Sequence, residues 1–151
     1  MIKVLFVCHG NICRSTMAEF LLKDYVKKLG IENEIYIESA GTSNEEEGNP
    51  VYPGTRRILN SLGIDCSKKR ARKITKDDYK KFDYLIGMDR YNIANMIRFF
   101  GSDKDNKISL LLDFTPTPRD VIDPWYYGNF DETYNDCMYG IKHFIDKIYN
   151  K

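Results

Sequence analysis

Ile2-Lys3-Val4-Leu5-Phe6-Val7-Cys8-His9-Gly10-Asn11-Ile12-Cys13-Arg14-Ser15-Thr16 is the stretch that decides the fold. Its first part, to Val7, is an apolar, β-branched run of the kind found in a strand covered on both faces. Gly10 and Asn11 interrupt it. Helical spacing then begins, with Met17, Phe20, Leu21 and Leu29 on one face and Gly30 as the stop. A buried strand running through a tight turn into a helix is the opening of an α/β unit, and ligands collect at the carboxyl ends of such strands.

The pattern continues outward. Glu34-Ile35-Tyr36-Ile37-Glu38 alternates as a second strand, and residues 43–52 form a polar loop without periodicity. Pro53 suits the first turn of a helix bearing Ile58, Leu59 and Leu62 and ended by Gly63. Lys68 to Lys73 is a basic run, read as a solvated face, and Thr75 caps a short helix with Asp77 and Asp78 in its first turn. Tyr84 to Met88 gives a third strand, followed by a helix from Asp89 or Tyr91 carrying Ile93, Met96, Ile97 and Phe100. Ile108 to Leu112 gives a fourth strand. After a Pro-rich loop to Pro124, a last helix from about Asp131 turns Tyr134, Cys137, Ile141, Phe144, Ile145 and Ile148 inward. Strands alternating with helices predict a single α/β domain over residues 1–151 with a mainly parallel sheet.

Composition narrows the function classes. Lys and Arg number 23 against 22 Asp and Glu, so no basic excess points to nucleic acid or an anionic membrane. No apolar stretch approaches the roughly 18 residues of a membrane span, and the start lacks a secretion signal, so a cytoplasmic protein without membrane insertion is expected. The four cysteines, Cys8, Cys13, Cys66 and Cys137, form no CxxC pair, and the two histidines, His9 and His143, have no metal-spaced partners. Neither a metal nor another cofactor is expected. Cys66 reads as a loop thiol and Cys137 as core filler.

The turn after the first strand is where chemistry concentrates. A turn of five residues at a helix start can aim successive backbone N–H groups inward as a nest for phosphate oxygens. Gly10 and Asn11 are the residues best able to take positive φ there. Arg14 offers a planar fork for two oxygens, which Lys could not reproduce. Cys8 lies at the base of this positive bowl, a setting that favours the nucleophilic thiolate, and Ser15 is placed to hydrogen-bond it. Accidental occurrence of Cys, five residues, Arg and then Ser or Thr is expected at about 2% for four cysteines, so chance does not explain it. Asp123, held extended by Pro124 and followed by Trp125, Tyr126 and Tyr127, is the candidate proton donor for a leaving group.

In VCHGNICRST, in IESAGTS at residues 37–43, in FDYLIGMD at residues 82–89 and in DPW at residues 123–125, the chain resembles the low-molecular-weight protein tyrosine phosphatases over nearly its whole length. The resemblance implies a four-stranded parallel sheet of order 2-1-3-4 with helices on both faces. It also implies hydrolysis of phosphotyrosine monoesters through a phosphocysteine, without metal: Cys8 attacks, Asp123 serves as acid and then base, and Arg14 with the loop amides holds the phosphate. His9, Gly10, Asn11, Ile12, Cys13 and Ser15 then belong to the substrate loop, Trp125 and Tyr126 flank the substrate ring, and Ser43 joins Asn11 and Ser15 in a supporting network. Cys13 is either a redox partner of Cys8 or a small packing residue. The partners implied are a phosphotyrosine-containing protein or peptide and a cognate tyrosine kinase, with the chain a monomer or weakly self-associating.

Several residues depart from the family pattern. Thr16 stands where Pro is usual, Glu45, Glu46 and Glu47 replace an aromatic pocket rim, Lys69 takes the place of a supporting His, and one extra residue separates Pro124 from Gly128. Two relatives share the fold. Phosphoarginine phosphatases commonly have Thr where Ile12 stands, and arsenate reductases need further cysteines after the third strand, of which residues 89–123 have none. A non-catalytic phosphate-binding or redox-sensing module is the alternative of a different class.

Overall fold

A computed structural model describes residues 1–127 and 129–149, without the side chains of Tyr126 and Tyr127. Its elements are β1 (Ile2–Cys8), α1 (Arg14–Lys28), β2 (Ile35–Gly41), α2 (Pro53–Ser61), α3 (Lys76–Lys81), β3 (Tyr84–Gly87), α4 (Arg90–Phe100), β4 (Ile108–Leu110), a 3-10 turn (Leu111–Phe114), α5 (Pro124–Tyr127) and α6 (Phe130–Tyr149). The sheet order is β2-β1-β3-β4, and every pairing is parallel, as the resemblance implied.

β1 is central and its alternation divides the core. Val4, Phe6 and Cys8 face a layer built from α1, α2 and α6, while Leu5 and Val7 face α3 and α4. Val4 to Val7 are fully buried, which accounts for a strand that is apolar on both faces. Parallel register places Cys8 opposite Gly41, so the nucleophile candidate is the last residue of the best-covered strand. A Cβ on Gly41 would lie 2.7 Å from the His9 carbonyl oxygen, so only glycine lets β2 run this close to the loop.

Some expectations need correction. Leu29 and Leu62 lie just past the ends of α1 and α2 and are exposed, because each helix closes before them and Gly30 and Gly63 turn the chain at positive φ. β4 ends at Leu110, since Leu111 and Leu112 enter the 3-10 turn that packs on α6. Gly140 permits that contact, for a Cβ there would come within 2.5 Å of Leu111. Cys66 lies in the loop between α2 and α3, as read, but is buried there, and Cys137 is fully buried core, as read. The basic run is not a solvated face throughout. Ala71 is buried, and Lys69 and Arg72 turn inward to carboxylates.

Candidate active site

Residues 8–14 leave β1, loop over its end and enter α1, whose first turn contains Arg14, Ser15 and Thr16, all buried. Asn11 takes the left-handed conformation at φ 61°. Gly10 does not adopt positive φ; its missing side chain instead makes room for Glu46, whose Cγ would lie 3.3 Å from a Cβ at that position. Thr16 fits where the family favours Pro, its hydroxyl donating to the Cys13 carbonyl oxygen at 2.9 Å.

Beneath the loop, hydrogen bonds run in a defined direction. Asn11 Nδ2 donates to Ser15 Oγ and to Ser39 Oγ, both at 2.9 Å, and Asn11 Oδ1 accepts from the Arg72 N–H at 3.0 Å. Ser39 in turn donates to Glu19, a buried carboxylate that can only accept. With Asn11 supplying a hydrogen to each hydroxyl, the Ser15 hydrogen is available to Cys8 Sγ, which lies 3.0 Å from Ser15 Oγ. Lys69 enters the same cluster, donating to the Ser39 carbonyl at 2.9 Å with its ammonium 3.7 Å from Glu19. Burial pushes the Lys69 pKa down and the Glu19 charge opposes that shift. Lys69 thus braces Ser39 and Glu19 from beneath the loop. Ser43 does not join this cluster: its Oγ accepts from the Glu45 N–H and its own N–H bonds to the His9 carbonyl, so the role expected of it falls to Ser39 on β2.

Arg14 is fixed from the far side. Its Nη1 donates to the Val121 carbonyl at 3.0 Å and its Nη2 to Asp89 at 2.8 Å, with Asp123 Oδ2 at 3.6 Å. Burial alone would lower the Arg14 pKa, but the neighbouring charges of Cys8, Asp89 and Asp123 outweigh it and hold the guanidinium firmly protonated. Asp89 also caps α4, accepting from the Asn92 N–H at 2.8 Å. Val121 is tied to Met88 at the end of β3 by a 2.8 Å backbone bond, so the segment carrying Asp123 returns to the sheet beside the loop. Asp123 Oδ1 accepts from the Trp125 N–H at 2.9 Å, which fixes the carboxyl at the start of α5.

These residues line one cavity of about 490 Å³ that includes Cys8, His9, Gly10, Ile12, Cys13, Arg14, Asp123 and Trp125. Cys8 is only 4% exposed. Cys13 has its thiol pushed up to about 12, chiefly by burial and then by the charges of Cys8 and Asp123. At the mouth, His9 Nε2 pairs with Glu45 Oε2 at 3.2 Å, and Glu46 also lines the cavity. The side chain of Tyr126, expected to flank a substrate ring, lies outside the described residues, as does Gly128.

Sequence reasoning missed Glu19, Ser39, Asp89 and Tyr91 as contributors. Tyr91 lies in the first turn of α4 and is 79% exposed, an aromatic that lines the cavity together with Trp125. Tyr91 lies one residue into α4, which is why it read as helix rather than site.

Comparison with known proteins gives matches across the chain. The family described as "Low molecular weight phosphotyrosine protein phosphatase" matches residues 3–151. Low molecular weight protein-tyrosine-phosphatase YfkJ of Bacillus subtilis (strain 168) is 43% identical over 134 residues, covering 87% of this chain and 86% of that protein. The low molecular weight phosphotyrosine protein phosphatase of Gallus gallus is 40% identical over 149 residues, covering 95% and 94%. The crystal structure of YfkJ superposes with a TM-score of 0.95 over 99% of this chain and 96% of that chain, at 39% identity. With sequence and fold matched from end to end, the chain belongs to the low molecular weight phosphotyrosine protein phosphatase family, whose members are hydrolases.

Proposed function

We propose that this protein hydrolyses phosphotyrosine monoesters in two steps through a phosphocysteine on Cys8, with no metal ion. The observation that carries the reading is the hydrogen-bond chain from Asn11 through Ser15 to Cys8, in which Asn11 Nδ2 donates to Ser15 Oγ and leaves the Ser15 hydrogen available to the sulfur, with oxygen and sulfur 3.0 Å apart. A thiolate so served is both a usable nucleophile and a stabilised leaving group.

In the first step the Cys8 sulfur attacks phosphorus, the bond from phosphorus to the tyrosyl oxygen breaks, and Asp123 gives its proton to that oxygen. In the second, water attacks phosphorus, its proton passes to the Asp123 carboxylate, and the sulfur–phosphorus bond breaks to return the thiolate. Arg14 and the inward N–H groups of residues 9–14 carry the equatorial oxygens' charge in both steps. Because Arg14 is already oriented by Asp89 and Val121, little reorganisation is needed when phosphate arrives.

The choice of tyrosine rests on reach and walls. Cys8 is buried at the base of the cavity, so a phosphate on a long flat ring is better suited than one on a serine stem. Trp125 and Tyr91 offer aromatic surface at the mouth, and Ile12 adds apolar contact below. A cytoplasmic setting, a phosphoprotein substrate and a tyrosine kinase that supplies it complete the reading. Among the described residues no helix is long and apolar enough to cross a membrane.

The test is turnover of phosphotyrosine, phosphoserine and phosphoarginine peptides by purified protein in the presence of a chelator. Hydrolysis of the first alone, abolished in Cys8→Ser, is the expected result. Residual turnover in Cys8→Ser, or preference for phosphoarginine, would refute the proposal.

A further inference from the structure

Tyr52 is not explained by the chemistry above, yet it touches both halves of the site. Its N–H donates to the Ile12 carbonyl at 3.0 Å, which ties it to the phosphate loop. Its ring meets Trp125 edge-on, with centroids 4.8 Å apart and planes at 62°, and stacks on Phe130 at 5.7 Å and 12°. Trp125 and Phe130 bracket the segment that follows Asp123, so a single ring is held between the two ends of that segment. Tyr52 and Phe130 pack on Ile12, Cys13 and Ala71 in a small apolar cluster separate from both main cores. Gly54, two residues on, has no room for a side chain: a Cβ would lie 2.5 Å from the Phe130 ring. That contact holds Phe130 against Tyr52.

The Trp125 N–H is bonded to the Asp123 carboxyl, so where Trp125 sits governs where that carboxyl points. We infer that Tyr52 is a positioning residue: its ring is the wedge that sets Asp123 over the leaving oxygen while its backbone references that position to the phosphate loop. This inference rests on the reading of Asp123 as the acid. The hydroxyl of Tyr52 has no part in it; the aromatic face does.

The experiment uses leaving-group dependence, which a merely structural role would not skew. Turnover of phenyl phosphate needs a proton on the departing oxygen, whereas a dinitrophenyl phosphate departs without one. Tyr52→Leu is expected to lose about tenfold in kcat on phenyl phosphate and less than about threefold on the dinitrophenyl ester. Tyr52→Phe should stay within about twofold of the parent on both, because it keeps the ring. Gly54→Ala, which displaces Phe130 from outside the ring, should show the same skew as Tyr52→Leu. The lone tryptophan reports the contact directly, since Tyr52→Leu should make Trp125 easier to quench with acrylamide. Equal losses on both esters in Tyr52→Leu, or a Tyr52→Phe variant as impaired as Tyr52→Leu, would overturn the inference. Asp123→Asn is the reference. If it shows no skew, the acid assignment falls and the role of Tyr52 with it; if it shows a skew and Tyr52→Leu none, only the role of Tyr52 falls.

Discussion

Replacing the buried Asn11 by Ala should cost this protein about 4–5 kcal/mol of stability, a large loss for one loop residue. Three hydrogen bonds disappear, to Ser15, Ser39 and the Arg72 N–H. At about 1 kcal/mol each they account for about 3 kcal/mol, because their partners are buried or half-buried and water does not simply take over. The φ of 61° adds about 1–2 kcal/mol once a Cβ without a compensating amide must occupy it. Asn11→Gly separates the two contributions. It loses the same bonds but not the strain, and the added freedom of glycine in the unfolded chain takes back part of the benefit, so it should lie about 1 kcal/mol above the Ala variant. Urea unfolding followed by far-UV circular dichroism measures both differences. A loss below about 1 kcal/mol in Asn11→Ala, or a Gly variant less stable than the Ala one, would refute the account of the loop given above.

Further outcomes are expected. Asp89→Asn keeps the α4 cap but removes the charge that orients Arg14, so kcat/KM should fall about tenfold or more, and an increase would refute that orienting role. Cys13, with its thiol pushed up to about 12, remains a neutral thiol at pH 7, so iodoacetamide mapped by mass spectrometry should modify Cys8 and leave Cys13; rapid labelling of Cys13 in Cys8→Ser would contradict its burial. Gly140→Ala should destabilise by about 1–3 kcal/mol, read as a drop of several degrees in Tm, because Leu111 must move aside. Glu45→Gln should raise kcat/KM a few-fold for phosphopeptides with acidic flanks at low salt, and the gain should vanish at high salt; a gain that persists there would not be electrostatic.

The α/β character of the chain and the phosphate loop were legible from local signals, whereas the strand order followed from the family resemblance. Ile2 to Val7 carries the hydrophobicity of a doubly covered strand, and Cys8, Arg14 and Ser15 carry their chemistry at a fixed spacing. The supporting cluster was not legible. Ser39 and Ser43 lie in one short stretch of alternating and loop residues, and only the parallel register that sets Cys8 opposite Gly41 turns Ser39 under Asn11 and leaves Ser43 beyond it. Lys69 and Arg72 likewise read as solvated because a basic run usually is, whereas Glu19, Asp78 and Glu38 give them buried or half-buried partners from elsewhere in the chain. Tyr91 was hidden by a helix pattern that says which face is apolar but not which end meets a cavity.

The carboxylate of Glu19 has a consequence that reaches well past its own burial. Because it takes the Ser39 hydrogen, it leaves Ser39 Oγ as an acceptor for Asn11 Nδ2 and, together with the Arg72 N–H on Asn11 Oδ1, fixes which way the amide that serves Ser15 faces. A network with two senses would divide its time between a sulfur facing a hydrogen and a sulfur facing a lone pair. Only the first helps thiolate departure. An acceptor placed four hydrogen bonds from the sulfur therefore acts as an anchor of sense, and the solvent-like cost of turning dipoles at the moment of bond cleavage is met when the chain folds.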